Sequence, residues 1–438
     1  MYAWGAAGAL LLSFIAVGVF ATVPSLGVMR ERIFTVETRN RTAGGYVALA
    51  LLVVCIVCGF AGPQASIDNL NMTLFWIFFV LGMPYLTAVT GDFYARVNPW
   101  EALVIVVEKA VGRAFTGQMK NPARWGHWPA LVLYFGFINL ELFGHLLARG
   151  VSLWLLVYSI LNVAGAWLFG RQAWFEQGEF FGVVLRLIGK MAPVKRTERG
   201  LRWRMPFTGL LEDAPKDLGL VVFILFMLSS TAFDGLHATK PWVDLYWSGI
   251  NPYLTGGWGL SPREQNTLSI TLYQAWQRGS LAASPFIYLG LYAAILVLMD
   301  AIVRSGLTLR ELVCRFALCL VPIAFVYHVT HYFTLLLAQG GQIVRLVSDP
   351  LGVGWNLFGT GKWVISPVMV DMSALWHTQV ALILAGHVAS VWVAHVMALS
   401  IFKTPRRAAA SQLPMLALMM GFTAFGLWIL SLPLVTGG

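Results

Sequence analysis

The chain has 438 residues, of which 58% are hydrophobic and only 11% are charged, and its formal net charge is +10 at pH 7. Soluble domains carry roughly a quarter charged residues, so this composition excludes an ordinary soluble enzyme and indicates an integral membrane protein. The positive charge does not indicate a nucleic-acid partner, because the basic residues lie in short segments between apolar stretches.

Ten stretches of the chain are apolar and long enough to cross a bilayer, which takes about 20 residues. The first lacks a positively charged leading segment, so we predict a retained span rather than a cleaved signal peptide. No extended alternating pattern indicates a β-barrel. We therefore predict an all-α polytopic helical bundle, a single transmembrane domain over residues 1–438. The predicted spans are 3–29, 44–62, 73–91, 127–148, 151–170, 217–238, 284–303, 315–338, 377–402 and 413–434.

The distribution of lysine and arginine predicts the orientation of these spans. Of the 30 basic residues, 24 lie in the loops after spans one, three, five, seven and nine. The positive-inside rule places these loops in the cytoplasm and both termini outside, which we expect to be the periplasmic side of a bacterial inner membrane.

Four long segments connect predicted spans, two on the cytoplasmic side of the membrane and two on the outer side. The predicted cytoplasmic segments 92–126 and 171–216 contain amphipathic stretches that indicate interfacial helices supporting the membrane surface. The predicted outer loops 239–283 and 341–376 are rich in tryptophan, which is typical of either a lid or interface anchors. The four cysteines imply no disulfide framework and are expected to pack as small buried side chains.

Ionisable side chains at helical spacing interrupt three of the predicted spans. Asp234 and His237 are three residues apart, as are His328 and His331, so each pair can direct two donors to one point. At a rise of ~1.5 Å per residue, His328 and His387 lie at a matching depth of roughly 15 Å below the outer boundary. Because ionisable groups inside a membrane are costly, we predict that these five residues form one ligand cluster.

Further candidates lie at the edges of this cluster. Glu141 and His145 are placed at the outer end of span four, where Glu141 is a candidate base or bridging ligand. His145 is a candidate ligand or, equally, a buried hydrogen-bonding residue. We interpret His127 as interfacial and His395 as structural or part of a separate site, whereas His377 at the outer mouth fits either interpretation.

The donor types predict a divalent transition metal: zinc, iron, manganese or copper, as one ion or two. Imidazole and carboxylate ligands suit these metals, and the lack of thiolates in the cluster argues against an iron–sulfur centre. Such a metal would generate hydroxide, with Glu141 and Asp234 as the candidate catalytic residues. The alternative is haem b, with His328 or His331 opposite His387 as axial ligands.

Five segments of the chain carry a resemblance to a known family: GDFYARVNPW (91–100), STAFDGLH (230–237), YHVTHYF (327–333), SDPLGVGWNLF (348–358) and GHVASVWVAH (386–395). Through them the chain resembles, over most of its length, a family of bacterial polytopic membrane proteins, the fenitrothion hydrolases. The resemblance implies a multi-pass membrane protein and the hydrolysis of an organophosphorus ester, but no ligand set.

Three functions follow as hypotheses. The first is a membrane-embedded metal-dependent hydrolase that acts on an apolar ester from its outer side. The second is a haem or copper subunit for electron transfer or reaction with quinone. The third is a transporter, although the candidate ligands stop in the outer half and no inverted repeat is visible. The lipid bilayer is the expected partner, with a second membrane subunit or a homo-oligomer as a further possibility and no nucleic acid.

Overall fold

The computed structural model describes residues 8, 32–34, 41–119, 122–197, 200–368, 371–402 and 404–432. Within these residues the chain is all-α, apart from three short strands. The predicted first span at 3–29 lies outside the described residues, except for residue 8.

Eight helices in the described part of the chain are long and apolar enough to cross a membrane. They match eight of the ten predicted spans, so the chain is a multi-pass membrane protein. A ninth predicted span, 127–148, contains the apolar helix Trp128–Phe143, which has only 16 residues and is not among the eight. The eight are Ala43–Ala61, Leu70–Thr90, Ala148–Phe169, Leu218–His237, Pro262–Val303, Leu309–Leu346, Met372–Ile401 and Arg406–Leu430.

The helices are numbered here in chain order. Those before residue 200 are α1 (Arg41–Ala61), α2 (Leu70–Thr90, π-helical over Thr73–Gly82), α3 (Tyr94–Val97), α4 (Pro99–Val111), α5 (Trp128–Phe143), α6 (Ala148–Phe169), α7 (Arg171–Gln177) and α8 (Phe180–Gly189). Those after it are α9 (Leu218–His237), α10 (Lys240–Asp244), α11 (Asn251–Thr255), α12 (Pro262–Val303), α13 (Leu309–Phe316), α14 (Val321–Gln339), α15 (Ile343–Leu346), α16 (Met372–Ile401) and α17 (Pro405–Ser431).

The helix at the seventh predicted span, 284–303, is longer than predicted. α12 begins at Pro262 rather than at residue 284, so it includes part of the segment predicted as an outer loop. A capping box starts it: the Ser261 side chain accepts a hydrogen bond from the Glu264 backbone N–H, and the Glu264 carboxylate accepts one from the Ser261 N–H. This reciprocal pair satisfies two backbone donors of the first turn and allows the polar segment 262–283 to continue as helix.

The described residues form two compact units, and the single domain over residues 1–438 stays a prediction. The first unit comprises residue 8, Val221–His331 and the described residues after 377, and the second comprises the described residues of Gly27–Leu220 together with Tyr332–His377.

Stacked aromatic rings form the core of the second unit. Trp100 of α4 lies parallel to Phe181 of α8, with ring centroids 5.6 Å apart, and the Trp100 indole N–H donates to Ser159 Oγ at 3.1 Å. Trp154 and Tyr158 of α6 stack at 5.0 Å. Each ring thus adds directional contact to its burial, which fixes how α4, α6 and α8 pack.

Two helices of the second unit approach each other closely at Gly59. A Cβ at this position would lie 2.1 Å from Ser152 Oγ and 2.2 Å from Asn71 Nδ2. Asn71 Nδ2 in turn donates to Ser152 Oγ at 2.9 Å and to the Ala148 carbonyl at 3.0 Å. The missing side chain therefore makes room for a buried hydrogen-bond network, and interhelical packing on small residues is typical of membrane bundles.

α8 contains the predicted amphipathic stretch of segment 171–216, but it is not a surface helix. Most of its residues are buried, including Phe180, Phe181, Leu185 and Ile188. α4, in segment 92–126, is also helical as predicted and caps its N-terminus with the Asn98 side chain. α8 is enclosed because it packs against α5 and the end of α2.

A small antiparallel sheet follows α8 where the sequence suggests only a basic run. Its strands β1 (Arg32–Phe34), β2 (Val194–Thr197) and β3 (Gly200–Trp203) lie in the order β1-β3-β2. Arg32 pairs with Trp203, and Val194 also pairs with Trp203. β3 thus connects the segment that precedes α1 to the segment that follows α8.

In the first unit, α14 is held against α17 by a tyrosine and a glycine. The Tyr327 hydroxyl donates to the Phe422 carbonyl at 2.6 Å. A Cβ at Gly426, one turn further along α17, would lie 2.1 Å from that hydroxyl oxygen. α9 and α12 are joined by Ser229 and Ser284, whose hydroxyl oxygens lie 2.9 Å apart. These contacts fix the helices that carry the candidate site.

The Glu179 side chain is fully buried at the N-terminus of α8. Its two carboxylate oxygens accept hydrogen bonds from Tyr158 Oη (2.6 Å), Gly182 N (2.7 Å), Asn98 Nδ2 (3.1 Å) and Phe181 N (3.1 Å). Burial raises the pKa of Glu179 from its ordinary 4.5 to about 7, against the opposing effect of these donors. Since the pKa is raised, the contribution of Glu179 to stability is complete below pH 4.5 and is lost as the pH rises through about 7.

We therefore predict that Glu179→Gln lowers the melting temperature and reduces its dependence on pH between 5 and 8. The glutamine amide would place its NH₂ group opposite hydrogen-bond donors that the carboxylate oxygens now accept from. The unsatisfied donors should lower the free energy of unfolding by about 1–3 kcal/mol. The measurement is thermal unfolding in detergent at both pH values. Glu176→Gln, a change on the exposed side of α7, is the control and should leave both quantities unchanged. An unaltered pH dependence in Glu179→Gln would contradict the assignment.

Candidate functional site

The Asp234 carboxylate in the first unit contacts two imidazoles. Asp234 Oδ2 lies 2.7 Å from Nε2 of His331 on α14, and Asp234 Oδ1 lies 3.6 Å from Nε2 of His237 on α9. The spacing of three residues along α9 places Asp234 and His237 on one face, as the sequence predicts. The structure therefore brings together three of the five residues of the predicted cluster.

This group lies at the end of an apolar helix and is only partly exposed. The relative side-chain exposures are 17% for Asp234, 19% for His237 and 30% for His331. A charge held away from water is costly unless it is paired and hydrogen-bonded. The imidazoles supply that pairing, and the residual exposure leaves the group open to a small ligand.

The other predicted histidines of the first unit lie deeper or make different contacts. His328, one turn before His331, is half-buried and within electrostatic range of both Asp234 and His331. His387 on α16 is fully buried, and its Nδ1 lies 3.0 Å from Thr423 Oγ1 on α17. His395 is buried two turns further along α16. Thr423, the partner of His387, is a site residue that the sequence analysis missed.

A second missed residue is Ser230, one helical turn before Asp234. Its hydroxyl is buried, and no hydrogen-bond partner for it lies among the residues that the structure describes. The spacing of four residues between Ser230 and Asp234 was the available signal, because it places both on one helix face. A buried hydroxyl without a protein partner is suited to contact a bound ligand or water.

A chain of aromatic rings begins beside His237. Phe233 lies 5.8 Å from the His237 ring and packs edge-on against Trp242 at 5.5 Å, and Trp242 stacks on Trp276 at 4.2 Å. The Trp242 indole nitrogen is buried without a hydrogen-bond partner in the described part of the chain. The group of three ionisable residues thus adjoins an aromatic surface that carries one N–H donor.

Glu141 and His145 lie in the second unit. Both line a cavity of about 440 Å³ that is also bounded by Trp76, Leu146 and Tyr332. His145 has a left-handed backbone, with φ of 43°. Their predicted roles as a base and a metal ligand for the Asp234 cluster stay predictions.

The two remaining histidines at the edges make local contacts. His127 Nδ1 lies 2.8 Å from Asp217 Oδ2, which connects the start of α5 to the segment before α9. His377 is exposed, and its Nδ1 lies 2.6 Å from the Ser373 carbonyl. All four cysteines are buried and unlinked, as expected.

The donor atoms at Asp234 do not converge on one point. His237 and His331 contact different oxygens of the carboxylate, which bridges the two rings. Within the described residues, no group of three or more His, Cys, Asp or Glu side chains is arranged to hold a metal ion. The types of donor nevertheless suit a metal ion, since two imidazoles and a carboxylate are a common ligand set of catalytic zinc.

Comparison with known proteins gives no relative: no family model, no curated protein and no solved structure matches this chain. The resemblance to fenitrothion hydrolases therefore stays a prediction.

We predict opposite effects for two neighbouring serines of α9. Ser229→Ala should lower the melting temperature, because it removes the contact with Ser284 and costs about 1 kcal/mol. Ser230→Ala should leave it unchanged or raise it, because the Ser230 hydroxyl has no partner among the described residues. Thermal unfolding of the purified variants tests both. Equal destabilisation by the two changes would show that Ser230 is a structural residue.

Proposed function

We propose that this protein is a membrane-embedded hydrolase that binds a divalent transition metal through Asp234, His237 and His331. The observation that carries the proposal is the Asp234 carboxylate in contact with imidazoles of two helices inside an apolar unit. Zinc, iron, manganese and copper all accept this donor set.

The distances support metal binding after a small rearrangement. Ligand atoms bound to one metal at roughly 2.0–2.2 Å lie no more than about 4 Å from one another. The contacts of 2.7 and 3.6 Å fall within this limit, but they involve different oxygens of Asp234, so the carboxylate would have to turn for both imidazoles to reach one metal. His331 would have to release any proton on Nε2 before binding, because only the neutral nitrogen lone pair is a ligand.

When bound, the metal would supply a water molecule that is acidic enough to ionise near neutral pH. The chain's own residues have the remaining tasks. Asp234 and the two imidazoles would hold the metal, and the Ser230 hydroxyl, one turn before Asp234 on α9, is suited to hydrogen-bond a bound water or substrate oxygen. Phe233, Trp242 and Trp276 provide an apolar surface.

This aromatic surface favours an apolar substrate, such as an ester with an aromatic leaving group. Flat rings pack well against stacked indoles, and the Trp242 N–H is available to a substrate oxygen. A substrate of this kind dissolves in the bilayer and can reach the site from the membrane. The positive-inside distribution supports a bacterial inner membrane with the site toward the periplasm.

We predict that the purified protein contains a stoichiometric transition metal. Asp234→Asn, His237→Ala and His331→Ala should each weaken metal affinity by roughly 100-fold or more, since the loss of an outer-shell partner alone costs 10–100-fold. Elemental analysis of detergent-purified protein and its visible spectrum are the measurements, and a Soret band would instead indicate the haem alternative. His377→Ala, a change at an exposed histidine, is the control. Active protein without metal would refute the proposal.

Hydrolysis of an aryl phosphotriester should depend on the donors beside the site. Trp242→Phe and Ser230→Ala each remove one hydrogen-bond donor, so we expect kcat/KM to fall about tenfold at unchanged metal content. Trp258→Phe, a change at a largely exposed ring, is the control. Unchanged kinetics in both variants would contradict the placement of the substrate on this surface.

A proton-transferring transporter is the second candidate, favoured by the 2.7 Å contact between Asp234 and His331. A carboxylate and an imidazole at this distance share a proton and can pass it on without a metal. Metal-free protein that drives pH-dependent uptake in proteoliposomes, with loss of uptake in Asp234→Asn, would establish this function in place of hydrolysis.

A further inference from the structure

An elongated apolar groove runs along α1 in the second unit. Its volume is about 470 Å³, and its walls come from α1, the π-helical part of α2 and the segment 93–100. On α1 the lining residues extend from Gly44 to Cys55, which is roughly 16 Å at ~1.5 Å per residue. This length and an almost wholly apolar lining suit one hydrocarbon chain.

The π-helical segment Thr73–Gly82 shapes one wall of the groove. Four of its residues, Leu74, Phe75, Phe78 and Phe79, line the space. A π-helix is wider than an α-helix and is rare except at functional sites. Here it changes the direction of the side chains along the groove.

A buried hydroxyl lies at the end of the groove formed by the segment 93–100. Tyr94, just beyond the end of α2, lines the groove and is 1% exposed. Its hydroxyl has no hydrogen-bond partner among the residues that the structure describes. Burial, and then the charge of Glu179, raises the pKa of Tyr94 well above its ordinary value, so the hydroxyl keeps its proton and can donate.

Positive charge gathers at the same end. The Arg196 guanidinium lies over the ring of Phe93, a groove residue, with its carbon 5.5 Å from the ring centroid. Arg196 Nε is buried and makes no hydrogen bond to the described residues. Partial burial lowers the pKa of Arg196, and the charge of Arg96 lowers it further, whereas Asp92 acts in the opposite direction. Two neighbouring arginines with one carboxylate nearby favour an anion.

We infer that this groove binds an anionic glycerophospholipid. One acyl chain lies along α1, the Tyr94 hydroxyl donates to an oxygen at the head of that chain, and Arg196 with Arg96 contacts the phosphate. A basic pocket at a membrane surface is a typical headgroup site, and the apolar groove beside it makes the ligand a lipid rather than a free anion. The inference does not depend on the proposed hydrolase, since every residue that it uses is in the second unit.

The test is native mass spectrometry of the full-length detergent-solubilised protein with phosphatidylglycerol or phosphatidylcholine of the same acyl chains. We expect retention of phosphatidylglycerol and a raised melting temperature, with little effect of phosphatidylcholine. Tyr94→Phe and Arg196→Gln should each weaken binding about tenfold, since each removes one hydrogen bond or charge contact. Ala48→Trp should fill the groove and abolish binding.

Matched controls separate the groove from general lipid contact. Val53→Trp adds the same ring on the exposed side of α1 that faces away from the groove, and Arg310→Gln removes an exposed charge of the first unit. Both should bind phosphatidylglycerol as the parent does, and metal content should be the same in all variants. Equal binding of the two lipids, competition by glycerol 3-phosphate alone, or undiminished binding in Tyr94→Phe, Arg196→Gln and Ala48→Trp would overturn the inference.

Discussion

A carboxylate inside an apolar helical unit has to be compensated locally, and this requirement organises the first unit. Asp234 meets it through His331 and His237, which come from two helices. Because the compensation crosses between helices, the relative position of α9 and α14 is set by electrostatics as well as by packing. The hydrogen bond from Tyr327 to α17 and the Ser229–Ser284 contact hold the same helices from other sides.

The second unit contains a buried carboxylate, and different groups compensate it. Its buried carboxylate, Glu179, is surrounded by neutral donors rather than by imidazoles, and two of these are backbone N–H groups at the start of α8. Such an arrangement is a fixed cap, because every lone pair faces a donor. Asp234, by contrast, contacts two imidazole rings from two helices. The two units thus compensate a carboxylate with chemically different partners.

Much of the fold could be predicted from the sequence, since hydropathy marks membrane helices directly. The contact of Asp234 with His331 lies within the predicted five-residue cluster, because ionisable groups inside a membrane are expected to find partners. The burial of α8 was not predicted, since an apolar stretch has the same composition whether protein or lipid surrounds it. The start of α12 at Pro262 was not predicted either, because it depends on a capping box and hydropathy does not detect capping residues. Which oxygen of Asp234 meets which ring is a property of three-dimensional packing alone.

The π-helical segment of α2 has a consequence for how this protein tolerates change in length. A π-helix closes its hydrogen bonds over one more residue than an α-helix does. Loss of a single residue between Thr73 and Gly82 would let the segment close its hydrogen bonds as regular α-helix and keep much of the orientation of the helix that follows. The same loss in an α-helical part of α2 would rotate all that follows by about 100°. A deletion of one residue is therefore expected to be tolerated better between Thr73 and Gly82 than elsewhere in α2.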